Sequence, residues 1–167
     1  MLKVLLIDKD KNLFRMLKEE LKRDYAVLFC DKITRALDFC RIISPDVVVL
    51  DPALPELREE NITSKIRALP GKAGIPIVSI SYTAQIRIVE ENYKWGADYY
   101  FPKPVLPGRI RLKIEELLRK QGVKVLHSAE NLLSFKPGKK EFQTELNLEF
   151  QFPNHHERTT RLNHFHG

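Results

Sequence analysis

Val47-Val48-Val49-Leu50-Asp51-Pro52-Ala53-Leu54-Pro55 decides the fold. Four consecutive aliphatic residues, entered through Ser44-Pro45-Asp46, read as a strand buried on both faces. Two-sided burial predicts a central strand of a parallel sheet. Asp51 then stands at its carboxyl end, the edge where open α/β sheets bind ligands and carry out chemistry. A carboxylate at that position is an acceptor, a metal ligand or a base.

Three further apolar runs end in polar groups. Lys3-Val4-Leu5-Leu6-Ile7 ends in Asp8-Lys9-Asp10. Ile75-Pro76-Ile77-Val78-Ser79-Ile80 ends in Ser81, and Ala97-Asp98-Tyr99-Tyr100-Phe101 ends in Pro102-Lys103-Pro104. Two carboxylates, a hydroxyl and an ammonium on one rim suit oxyanion chemistry assisted by a divalent cation.

Helical periodicity fills the intervals. Leu13, Leu17 and Leu21 mark one face of a helix from about Asn12 to Arg23. A strand is expected at 26–29. A second helix, over Ile33–Ile42, has Asp31 as its expected cap and Ala36, Leu37 and Cys40 facing inward. Helices follow near 56–69, stopped by Pro70-Gly71, and near 84–94, ended by Gly96. The last, 109–120, buries Ile110, Ile114 and Leu117 before Gly122. This alternation is (βα)₅, which predicts an α/β fold with a doubly wound five-stranded parallel sheet.

The order of motifs resembles the receiver domain of bacterial two-component response regulators, of the kind found in chemotaxis regulators, over residues 1 to about 120. The acidic pair of that family falls at Asp8-Lys9, with Asp10 next. Its Asp-x-x-Met/Leu-Pro phosphoacceptor motif falls at Asp51–Pro55, its hydroxyl residue at Ser81, and its Gly-Ala-Asp-…-Lys-Pro segment at Gly96–Pro104. The resemblance implies the flavodoxin-like strand order 2-1-3-4-5. It also implies Asp51 as phosphoacceptor, with Ser81 and Lys103 assisting and Tyr100 as the aromatic switch residue. Mg²⁺ would be held by Asp8, Asp51 and the backbone carbonyl of Ala53, with Asp10 a further candidate. A sensor histidine kinase and a downstream protein target are the implied partners. Lys103-Pro104 resembles the family's cis bond.

One residue departs from the pattern. The family's second acid, its main Mg²⁺ ligand, is Lys9 here. An ammonium attracts Asp51 and repels a divalent cation, and Mg²⁺ needs near-octahedral oxygen ligation. Two readings therefore stand side by side. One is a phosphorelay switch with a weakened or altered metal site. The other is a phosphorylation-independent pseudo-receiver, an interaction module in which Lys9 replaces the metal.

Composition narrows the classes. The chain has 167 residues and a net charge of +6. The basic excess is dispersed, so a nucleic-acid footprint is not expected, and DNA binding has no recognition helix to carry it. No apolar run approaches a membrane span, and the amino terminus does not read as a signal peptide, so a cytoplasmic location is expected. Cys30 and Cys40 lack metal spacing and read as reduced core thiols. All five His follow residue 126, so Ser81 has no His partner in the globular part and no enzymatic activity is expected.

Three segments are expected: a receiver domain at 1–121, a β-rich extension or truncated output segment at 122–152, and a mobile polar tail at 153–167. Leu146, Leu148, Phe150 and Phe152 alternate with polar residues as one apolar edge. An unpaired edge of that kind invites a second copy, so a homodimer is expected. His155, His156, His164 and His166 in the tail are not expected to hold a metal.

Overall fold

A computed structural model describes residues 1–125, apart from 56, 58–60 and 84. Five strands, β1 (Leu2–Ile7), β2 (Tyr25–Cys30), β3 (Val47–Leu50), β4 (Ile77–Ser81) and β5 (Tyr99–Pro102), form one sheet in the order β2-β1-β3-β4-β5. Every pairing is parallel. The strands alternate with α1 (Lys11–Leu21), α2 (Ala36–Ile43), α3 (Ile62–Arg67), α4 (Ile86–Lys94) and α5 (Pro107–Lys120). The fold is the flavodoxin-like, doubly wound (βα)₅ sheet that the sequence predicts.

The period-two pleat divides the core. Val4 and Leu6 of β1 join Val47 and Val49 of β3 in one cluster with Leu13, Leu17 and Leu21 of α1 and Ile110, Ile114 and Leu118 of α5. Leu5, Ile7, Val48 and Leu50 point the other way, toward Cys40 of α2 and Ile62 and Ile66 of α3. All four residues of β3 have zero exposure. Burying such a side chain stabilises the fold by roughly 1.5–3 kcal/mol, and a shift of register would draw Asp46 or Asp51 into the apolar core. Cys30 and Cys40 are buried free thiols.

Local details differ from the sequence reading. Asp31 does not cap α2: the chain enters through a 3₁₀ turn, Ile33–Arg35, and Arg35 at the N-cap makes no capping side-chain bond. On α5 the fully covered leucine is Leu118, while Leu117 is half-buried. The described part of the third helix spans Ile62–Arg67, capped by Asn61 at φ 45°, a left-handed conformation that Asn tolerates. Asp98 lies just outside β5 and ties the start of β4 to the end of α3. Its Oδ2 accepts from the Ile77 amide and from Arg67 Nη2, each at 2.7 Å.

Arg67 also donates through Nε to the Gly96 carbonyl at 3.0 Å. A Cβ at Gly96, where φ is +103°, would lie 3.2 Å from Arg67 Nε. Glycine is therefore required there both for backbone conformation and for room. Among the described residues no helix is long and apolar enough to cross a membrane. Of the expected β-rich extension at 122–152 only residues 122–125 are described, and the apolar edge at 146–152 and the tail at 153–167 lie outside the described residues.

Candidate functional site

Strand register builds the site. Ile7 pairs with Leu50, so the next residue of each strand, Asp8 and Asp51, emerges at the same carboxyl edge. The Asp51 amide donates to the Ile7 carbonyl at 3.1 Å, which carries the pairing one step past the strands. The chain turns to opposite sides of the sheet after β1 and β3, and the crevice so created is the usual ligand site of such folds. On the far side, Leu50 pairs with Ser79 and Ser81 with Pro102. The Lys103 amide donates to the Ser81 carbonyl at 2.7 Å, so Lys103 arrives at the same rim.

Two buried carboxylates and one ammonium meet there. Lys103 Nζ donates to Asp8 Oδ2 at 2.7 Å and to Asp51 Oδ2 at 3.1 Å. The three side chains are 5%, 3% and 8% exposed. Asp8 Oδ1 accepts from the Asp10 amide at 2.9 Å, and Asp51 Oδ1 accepts from the Ala53 amide at 3.0 Å. Burial alone would lower the pKa of Lys103, but the bond to Asp8 and the charges of Asp51 and Asp8 outweigh it and hold the pKa above its ordinary value. The trio carries a net charge of about −1, an attractive environment for a further cation.

The remaining sequence candidates differ in their partners. Ser81 is buried and its Oγ accepts from the Thr83 amide at 3.5 Å. Tyr100 is buried, and its hydroxyl donates to the Thr83 carbonyl. Desolvation pushes the Tyr100 phenol up to about 12; contact with the Ser81 hydroxyl opposes this and the charge of Asp51 adds to it. Lys103-Pro104 is cis. Asp10 caps α1 through Oδ1, accepting from the amides of Asn12 and Leu13 at 2.9 and 3.0 Å. Lys9, beside Asp8 in the chain, is exposed, and Lys103 supplies the ammonium that meets Asp51.

A neighbour missed by the sequence reading is Tyr82. Its ring centroid lies 5.2 Å from Lys103 Nζ while the residue is 74% exposed. Its position directly after Ser81 is the only sequence signal that could have pointed to it.

The donors present fit a hard divalent cation. Mg²⁺ is commonly held by one or two carboxylates, with waters and substrate phosphate completing the shell. Asp8 and Asp51 are two such groups on one rim. Among the described residues there is no cluster of three or more Asp, Glu, His or Cys arranged to hold a metal. Among the described residues, a third acid does not join Asp8 and Asp51.

Comparisons with known proteins agree with the architecture. The family model described as "Response regulator receiver domain" matches residues 4–115. The response regulator protein GraR of Staphylococcus haemolyticus is 28% identical over 120 residues, which cover 71% of this chain and 52% of GraR. Histidine kinase P4 of Formosa agariphila is 28% identical over 115 residues, 69% of this chain but 8% of that protein. The chain therefore spans about half of one of these relatives and a small part of the other. Among solved structures, a two-component response regulator from Clostridium difficile superposes with a TM-score of 0.66 at 22% identity, covering 74% of this chain and all of that one. The receiver domain of a Pseudomonas aeruginosa sensor histidine kinase, with a magnesium ion coordinated in its active site cleft, superposes with a TM-score of 0.62 at 19% identity, covering 71% of this chain and 98% of that one. With the family model matching residues 4–115, all four rim positions included, the chain belongs to the response regulator receiver domain family.

Proposed function

We propose that this domain is a phospho-aspartate switch of a two-component phosphorelay, in which Asp51 takes a phosphoryl group from a sensor histidine kinase. The observation that carries the reading is the buried contact of 3.1 Å between Lys103 Nζ and Asp51 Oδ2. An oxygen of Asp51 attacks phosphorus in line as the phosphorus–nitrogen bond of the phosphohistidine breaks, and the imidazole leaves with the bonding pair. Such a transfer needs positioning and charge stabilisation more than covalent help from the protein. Lys103 supplies positive charge to the phosphoryl oxygens, and the Ser81 hydroxyl donates to one of them. Asp8 and Asp51 would hold Mg²⁺, with the Ala53 carbonyl a further donor, and the ion would neutralise phosphoryl charge when bound.

The signal then leaves through Tyr100. Drawing Ser81 toward the phosphoryl group ends its contact with Tyr100 and frees the ring to re-seat. That changes the face made by α4, β5 and α5, which a downstream protein target reads. This is a local charge event biasing a two-state element. The domain acts as a switch rather than an enzyme, in the cytoplasm, and as a homodimer through the apolar alternation at 146–152. Sedimentation of the full chain at tens of micromolar tests the dimer; a monomer there contradicts it.

Lys9 favours a second reading. With an ammonium where the family has a second acid, Lys9 would stand in place of the metal and the domain would serve as a constitutive interaction module. Intact mass after incubation with acetyl phosphate and Mg²⁺ separates the two. A single phosphoryl adduct supports the switch, and an unmodified chain supports the module.

A further inference from the structure

Tyr82 holds an unusual place for an exposed aromatic. It is 74% exposed, yet its ring lies 5.2 Å from an ammonium whose side chain is only 5% exposed. Its backbone is tethered on both sides. The Ser81 carbonyl before it accepts from the Lys103 amide at 2.7 Å. The Thr83 carbonyl after it accepts from the Tyr100 hydroxyl. The ring is therefore delivered to Lys103 by a fixed stretch of chain rather than by a wandering loop.

The ammonium has three N–H donors. Two donate to Asp8 and Asp51. The Tyr82 ring, 5.2 Å from Nζ, is the third group set against the ammonium. A π face attracts a cation, but it binds less strongly than a charged oxygen. Of the three partners it is the one Lys103 gives up most readily.

We infer that Tyr82 is a positioning residue: its ring caps the Lys103 ammonium against water and holds a donor in reserve for the phosphoryl group. Without the ring, water solvates that donor and must be displaced before a phosphoryl oxygen can take its place. The ring requirement is electronic as well as steric, so phenylalanine can replace tyrosine while leucine cannot do so fully. The rate consequence rests on the phospho-aspartate reading; the capping itself does not.

Two measurements on the full-length chain test this. The first follows exchange of the Lys103 ammonium protons with solvent by nitrogen-detected NMR in the unphosphorylated protein. Exchange should be slow in wild type and in Tyr82→Phe, faster in Tyr82→Leu, and fastest in Tyr82→Ala. The second follows the rate of Asp51 modification by acetyl phosphate, with Asp51→Asn as the blank. Tyr82→Ala should slow it about two- to fivefold, the scale of an exposed cation–π contact, and Tyr82→Phe should restore it. Exchange in Tyr82→Ala equal to wild type would overturn the capping. Unchanged modification rates in a chain that is modified would overturn the positioning role. If wild type takes up no phosphoryl group, the phospho-aspartate reading fails, and the exchange series still decides whether Tyr82 caps Lys103.

Discussion

Asp8 and Asp51 are bound in the same way. Each gives Oδ1 to the backbone amide two residues ahead and Oδ2 to Lys103 Nζ. The two turns fix the carboxylates, and one ammonium offsets their mutual repulsion. The charge balance of the site therefore hangs on a single side chain from the fifth strand's edge.

Removing that side chain should be costly. Lys103→Gln leaves two buried carboxylates facing each other, and breaking a buried pair by deleting one partner typically costs 3–5 kcal/mol. Urea denaturation at neutral pH should show a loss on the order of 3 kcal/mol, and Asp51→Asn in the same chain should recover part of it by removing one charge. A Lys103→Gln protein as stable as wild type would mean that the carboxylates are solvated rather than paired.

Alkaline pH should unfold the domain early. Lys103 has its pKa raised above the ordinary value, so its contribution is complete below that value and is lost as pH rises through the folded one. The Tyr100 phenol, pushed up to about 12 chiefly by desolvation, acts with the same sign. Above its ordinary value near 10 the unfolded chain gives up the proton while the folded chain keeps it, so stability falls between about pH 10 and 12. Tyr100→Phe should flatten that fall by on the order of 1–2 kcal/mol, measured as urea midpoints across the range. An unchanged slope would show that Tyr100 is not held in its buried, neutral form.

Much of this was legible in the sequence because the relevant signals are local and periodic. The unbroken apolar run 47–50 gave the buried strand, and the residues ending four such runs gave the rim. What escaped depends on tertiary neighbours. Arg111 is 5% exposed on α5, its Nε 2.9 Å from Glu115 Oε1 and its Nη2 2.9 Å from Asp24 Oδ2. Periodicity assigns charged residues to solvent, so an ion network buried between α5 and the end of α1 leaves no trace in a hydrophobic pattern. The 3₁₀ entry to α2 defeated the choice of Asp31 as a cap for a similar reason: cap residues favour a start but do not fix where it falls. Asp10 read as a candidate metal ligand; in the fold its carboxylate serves the first turn of α1.

Mg²⁺ binding at the proposed Asp8–Asp51 site should respond to Lys9. This exposed ammonium adjoins Asp8, where it repels a divalent cation and supplies no oxygen. Wild type should bind Mg²⁺ weakly by titration calorimetry, and Lys9→Asp should bind it more tightly, by about tenfold or more for a gained carboxylate and a lost like charge. Equal affinities would show that Lys9 has no influence on the ion.

The proposed switch stands or falls on whether Asp51 accepts a phosphoryl group. The most direct measurement is peptide-mapped intact mass of the full chain after acetyl phosphate and Mg²⁺, run beside Asp51→Asn. Wild type should carry one acid-labile phosphoryl adduct on Asp51 and the variant none. An unmodified wild type, or an adduct of equal yield on Asp51→Asn, would contradict it.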